Sequence, residues 1–244
     1  MKQLFRTALL LVAFAFCAAA QTPAPALSAD VFKLGDREVS IPPPEGFVEA
    51  ASRSAPMKKF FETAEPHQLD FLAAYVPAQV MEQITRGERP VLAFYTRVAI
   101  SKNLRGVVYS QADFSKLVAT LHANSAKALD INSPEMRAML KQQSKDVSAL
   151  RKEHVGVDLS QPVRLGEIER TASSYGTLEL VKATFVHGDT RKERMVLSVA
   201  CVVRVRERLL LVYTYKLFNS EADADTLRDF TKRWVADILR ANAP

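Results

Sequence analysis

The sequence predicts an α+β protein: a mostly antiparallel sheet with helices on both faces, ending in a four-stranded meander followed by a long helix. Three observations lead there. Residues 163–218 hold four β-prone runs, 163–172, 177–186, 192–205 and 208–218, parted only by tight separators such as "SSYG", "HGDT" and "RE". Two runs, 91–101 and 208–218, are apolar on both alternating faces, the pattern of internal strands covered from both sides. Helical periods lie before and after the meander, and a sheet with two apolar faces needs a covering layer on each.

The chain opens with "MKQLFRTALLLVAFAFCAAA", where Lys2 and Arg6 precede an apolar run that ends in Ala18, Ala19 and Ala20. This is the layout of a secretory signal peptide over residues 1–20. The run is 13 residues long, shorter than the roughly 20 needed to cross a bilayer. Cleavage after Ala20 and release into the periplasm or medium are therefore expected, with no transmembrane anchor left after processing.

Cleavage would remove Lys2, Arg6 and Cys17, leaving 31 basic against 27 acidic residues and Cys201 alone. No intrachain disulfide can form from one cysteine, so stability must come from a core. The remaining 224 residues suffice to bury about 70% of the unfolded surface. A charge balance of +4 without a run of five like charges, in an exported chain, argues against a nucleic-acid partner.

Residues 21–30, "QTPAPALSAD", are small, polar and proline-bearing, the composition of a flexible linker. Residues 31–244 are expected to form one α+β domain. "VFKL" and "EVSI" flank Gly35-Asp36-Arg37 and read as a first hairpin ending at Ile41. Pro42 to Pro44 stop it, because proline lacks the ladder N–H and fixes φ. The triplet reads as a stiff corner aiming Phe47 into the fold, with a docking site for a partner as the alternative.

"SAPMKKFFETA" sets Met57, Phe60, Phe61 and Ala64 on one helical stripe, with Ser54 as cap and Pro56 in the first turn. "LDFLAAYVP" reads as a strand, and "AQVMEQITRG" as a short helix closed by Gly87. Ser110 and Asp113 form a capping-box pattern ahead of a helix burying Phe114, Leu117, Val118 and Leu121. Ser133 and Pro134 open another running to about His154. The pair, at about residues 111–154, reads as a helical insertion or outer layer. "SEADADTLRDFTKRWVADILRAN" closes the chain as a helix with Leu227, Phe230, Trp234 and Ile238 on one stripe.

This order of elements, together with the "IPPPEGF" approach to the fold, resembles the Mog1/PsbP-like group of small proteins. The resemblance covers most of the expected mature chain, apart from the helical pair at about 111–154. It implies a sandwich fold hosting non-enzymatic accessory or binding roles, and it brings no catalytic motif to transfer.

The eight glycines lie no closer than ten residues apart, so neither a dinucleotide fingerprint nor a phosphate loop can be built from them. G-x-S-x-G and H-E-x-x-H are absent. The four histidines, His67, His122, His154 and His187, show no metal-ligand spacing. "EADAD" lacks the glycine and the terminal glutamate of a calcium loop, and its acids suit a helix N-terminus. No metal and no cofactor are expected. Cys201 reads as a buried core thiol. Glu167 and Glu169, sharing a face, are a candidate acid and base pair, with Arg164 and Arg170 opposite. Arg204, Arg206 and Arg208 could receive an anionic headgroup or lie solvated beside a turn.

Tyr95 and Arg97 stand apart, on one face of an apolar strand. A buried guanidinium must be paired or must face a cavity. Asp70 and Glu179 are the expected carboxylate partners. The ligand reading places Tyr95 and Arg97 beside Tyr213 and Tyr215 of the last strand, where apolar area, hydroxyl tips and one cation would suit a small anionic ligand. The sequence thus points to an exported, non-enzymatic envelope protein that binds a partner or a small anionic ligand. The alternative is a hydrolase whose site assembles only in three dimensions.

Overall fold

The computed structural model describes residues 29–128, 133–151, 155–187 and 190–243. The expected signal peptide, most of the linker and His154 lie outside them. β1 (Asp30–Leu34) and β2 (Arg37–Ile41) form a separate antiparallel hairpin. Next come β3 (Phe47–Glu49), α1 (Ala55–Ala64), β4 (Leu69–Pro77), α2 (Ala78–Thr85), β5 (Phe94–Ser101), α3 (Gln111–Ala128) and α4 (Pro134–Arg151). β6 (Val155–Leu159), β7 (Val163–Arg170), β8 (Ser174–His187), β9 (Thr190–Val205), β10 (Arg208–Leu217) and α5 (Ala222–Ala241) complete the chain.

The main sheet runs β3-β4-β5-β10-β9-β8-β6, with β7 beside β8, and its pairings are antiparallel. The expected meander is β7 to β10, and pairing of β10 with β5 joins it to the N-terminal strands. The β9–β10 connection is a two-residue turn with Arg206 at φ 46° and Glu207 at φ 63°, the twist that suits a tight hairpin. β3 and β6 were not foreseen: β3 is three residues long and β6 carries a glycine, so neither shows alternation over a useful length. β5 begins at Phe94 and not at residue 91; Val91 is 74% exposed.

Side-chain alternation gives the sheet two different faces. On one, Tyr75, Val98, Ile100, Leu178, Leu197, Val199, Cys201 and Val212 pack against Leu227, Trp234, Val235 and Ile238 of α5 and against Leu34, Val39 and Ile41 of the hairpin. Trp234 is 1% exposed, and its Nε1 donates to the Pro42 carbonyl at 2.8 Å. Gly46 follows at φ 76°, and Phe47 enters the core against Phe94 and Phe230. The proline triplet is thus a corner whose carbonyl completes the hydrogen bonding of a buried indole.

The other face is covered piecemeal. Phe61 of α1 and Met81 of α2 sit over Ala74, Val76 and Tyr95. Phe114 and Val118 of α3 sit over Tyr175, Val202 and Leu209. α4 packs on α1 and on β6, linking two flanks of this face. It is described to Arg151, and its expected end at about His154 lies outside the described residues.

Local signals place these helices. The Ser54 hydroxyl accepts from the Met57 amide at 3.4 Å. The Ser110 hydroxyl accepts from the Asp113 amide at 3.1 Å and donates to its carboxylate at 2.6 Å, so both caps form as the spacing predicts. Asp223 accepts the Asn219 and Ser220 amides at 2.8 and 2.9 Å. These two bonds hold its carboxyl below the usual value, which accounts for Asp223 of "EADAD" by capping, while Asp225 pairs with Arg228.

Candidate functional site

The site is built on the piecemeal face. Tyr95 lies opposite Tyr215, and Arg97 opposite Tyr213, in the β5–β10 register. The four residues expected to form a ligand site are therefore cross-strand neighbours, a juxtaposition that the sequence could only assume. The two rows continue across the sheet through Ser198 and Ala200 of β9, Glu179 and Thr177 of β8, and Arg164 and Glu167 of β7. Ser198 and Ala200 are half-buried although β9 is central. Small side chains there form a low floor between the tyrosines and β8.

The tyrosines stack along the sheet. Tyr95 and Tyr215 lie 4.9 Å apart at 22°, and Tyr215 and Tyr213 lie 6.4 Å apart at 18°. The Arg97 guanidinium closes the column, 4.4 Å over the Tyr213 ring. Its Nη2 donates to the Tyr215 hydroxyl at 3.1 Å, and its Nη1 donates to a Glu65 carboxylate oxygen. Ring faces are thus spent on one another. Among the described residues, the hydroxyls of Tyr95 and Tyr213 meet no hydrogen-bond partner.

Glu65 corrects the expected pairing. Asp70 is taken by Arg105 at 3.1 Å, and Glu179 lies two strands beyond Tyr215 in register. Glu65 follows the last residue of α1 and precedes Pro66, a position where proline disfavours helical backbone. At φ −78° and ψ 136° it leaves the helix, and its side chain is 3% exposed against Arg97. An acid just before a proline at a helix end was the available signal. Nothing in it specified which strand the acid would meet.

The pair is only half made. Glu65 Oε1 is buried and has no hydrogen-bond partner, a state that costs about 1–3 kcal/mol for a buried polar group. Burial works against the Arg97 charge, but Tyr215 and Glu65 lift its pKa above the usual guanidinium value. Burial pushes Tyr213 up to about 12 and raises Tyr95 as well, and both phenols feel the charges of Arg97 and Glu65. They are neutral donors at physiological pH, next to a charged guanidinium.

The remaining candidates have structural roles. Two bulges in β7, one with Gly166 at φ 131°, break the alternation that put Glu167 and Glu169 on one face. Glu167 meets Arg170 at 2.8 Å and His122 at 2.6 Å, while the charge of Glu169 acts on Cys201. Cys201 is 2% exposed, and burial raises its thiol pKa well above the usual value. Arg204, Arg206 and Arg208 are turned to backbone: to Tyr109 O at 2.8 Å, Glu38 O at 3.2 Å and Leu34 O at 3.1 Å respectively. They are anchors of the hairpin and the β9–β10 turn, and form no headgroup site.

Among the described residues no group of histidine, cysteine and acidic side chains could hold a metal ion, and no helix is long and apolar enough to cross a membrane. No protein-family model matches the chain, and no curated protein matches it. Two solved structures are similar to it. One is a mutant of the protein Mog1, at 10% identity over 88% of this chain and 93% of that one, with a TM-score of 0.32. The other is the Saccharomyces cerevisiae Ran-binding protein Mog1p, at the same identity and coverage with a TM-score of 0.27. The chain therefore bears the weak likeness in fold to Mog1 that its order of elements predicted.

Proposed function

We propose that the chain is an exported, non-enzymatic binding protein of the cell envelope, and that it takes a small anionic ligand at the tyrosine column of β5 and β10. The observation that carries this reading is the arrangement at Arg97. A charged guanidinium stacks on Tyr213, its carboxylate partner is half-satisfied, and two neutral phenol donors remain unspent beside it. A buried carboxylate oxygen left without a donor beside a paired cation is uncommon and calls for an explanation. The small side chains of Ser198 and Ala200 beside the column are only half-buried, so solvent reaches the sheet surface there. Export rests on the sequence of residues 1–20.

A thermal-shift screen of acidic metabolites and phosphorylated lipid headgroups tests the binding reading, using wild type and Arg97→Met. Stabilisation of wild type by an anion, absent in the variant, supports it. Equal stabilisation of both, or of neither, overturns it and leaves partnership with another protein as the function to pursue.

A further inference from the structure

If the column is the ligand site, Glu65 already occupies the place of the ligand. We infer that Glu65 is a built-in competitor: its carboxylate fills the anion seat on Arg97, and a ligand carboxylate binds by displacing it.

The seat has a definite chemistry. Arg97 gives one Nη2 N–H to Tyr215 at 3.1 Å and gives Nη1 to Glu65, so the Nη1 end is where an incoming anion would compete with Glu65. Tyr213 lies under the Arg97 guanidinium at 4.4 Å and Tyr95 stacks on Tyr215, to which Arg97 donates. Glu65 reaches the seat from the end of α1 with one oxygen and leaves Oε1 bare. A free carboxylate has no tether. It can rotate to give one oxygen to Arg97 and the other to a phenol, the two-point recognition that planar anions favour. Glu65, once expelled, regains the hydration its buried oxygen lacks. Its backbone is extended, outside the α1 hydrogen-bond ladder, and Pro66 follows it, so its release unravels no helical turn.

The exchange implies that the unliganded protein is mostly self-occupied. When a site is open only a tenth of the time, its apparent affinity is weakened about tenfold, and weakening the occupant restores that factor. Glu65→Gln keeps the shape and removes the competing charge.

The test is titration of acetate and of inorganic phosphate into wild type, Glu65→Gln, and Arg97→Met in the Glu65→Gln background, followed by calorimetry. The expected result is that Glu65→Gln binds acetate about tenfold more tightly than wild type, that acetate is preferred to phosphate, and that the double variant binds neither. If Glu65→Gln is unfolded by its melting curve, Glu65→Asp replaces it; its shorter side chain withdraws the carboxylate from Arg97 and the same ranking is expected. Acetate affinity equal in wild type and Glu65→Gln, yet dependent on Arg97, overturns the displacement while the binding function stands. Phosphate preferred over acetate in Glu65→Gln overturns the carboxylate assignment. No binding of either anion to the Glu65 variant overturns the displacement and the anion site together.

Discussion

The two faces of the main sheet come from the same strands, yet they are finished differently. One is sealed by a single long helix and a hairpin whose apolar side chains continue the alternation of the strands. Polar groups at its rim are paired, such as the Trp234 N–H on the Pro42 carbonyl and the Asn242 side chain on the backbone of Ser40 at 2.6 and 2.8 Å, although Glu169 Oε2 beside Cys201 is buried without a partner. The other is covered by two separate helical clusters, and between them lie stacked tyrosines, a half-satisfied carboxylate and a small-residue floor. A face closed by one continuous element serves stability. A face closed in pieces leaves unspent hydrogen-bonding capacity, which is where binding can be sought.

Substitutions on the two faces should separate these roles. The largest effect is expected from Trp234→Ala on the sealed face, which removes a 1% exposed indole and its hydrogen bond and should lower unfolding stability by about 3–5 kcal/mol. Urea melts measure it, and a loss under about 1 kcal/mol would mean that α5 does not seal this face as described.

On the other face, Arg97→Met strands Glu65 as a buried charge and should cost about 3 kcal/mol, the low end for breaking a buried pair, since Arg97 is 16% exposed. Adding Glu65→Leu should recover most of that loss, because an apolar pair can replace a buried ion pair at little cost. A double variant no more stable than Arg97→Met alone would show that the column depends on the guanidinium for its packing.

Gly176→Ala probes how tightly the sealed face is packed. An added Cβ would collide with Cys201 Sγ and lie 2.9 Å from Ile168 Cγ1, so overpacking should cost about 1–3 kcal/mol. Native Cys201 should react slowly with a thiol reagent and quickly after unfolding, given its raised pKa and burial.

The smallest effect concerns Glu179, 8% exposed on the second face. Burial raises its pKa, against opposing contributions from Arg164 and Thr177. A carboxyl whose folded pKa is raised favours the folded state below its unfolded pKa, and that contribution is lost as pH rises through the folded value. Glu179→Gln should therefore gain stability over wild type as pH rises above about 4.3, with the gain vanishing at lower pH. A gain that grows on acidification would show that Arg164 outweighs burial.

By itself the sequence determined the packing of the α5 stripe against the meander and most of the elements, though not β3 and β6. Apolar alternation in the meander, the caps at Ser54 and Ser110, and the stripe of α5 are local patterns, set by periods of two and 3.6 residues that a linear reading can count. It also singled out Tyr95, Arg97, Tyr213 and Tyr215, because an arginine in an apolar strand demands an explanation wherever the strand goes. Only the tertiary structure decided that β5 pairs with β10, since antiparallel partners far apart in sequence carry no local mark of each other. It alone chose Glu65 over Asp70 and Glu179 for Arg97. That choice depends on where α1 ends above the sheet, a long-range packing outcome to which neither the helix nor the strand holds the answer separately.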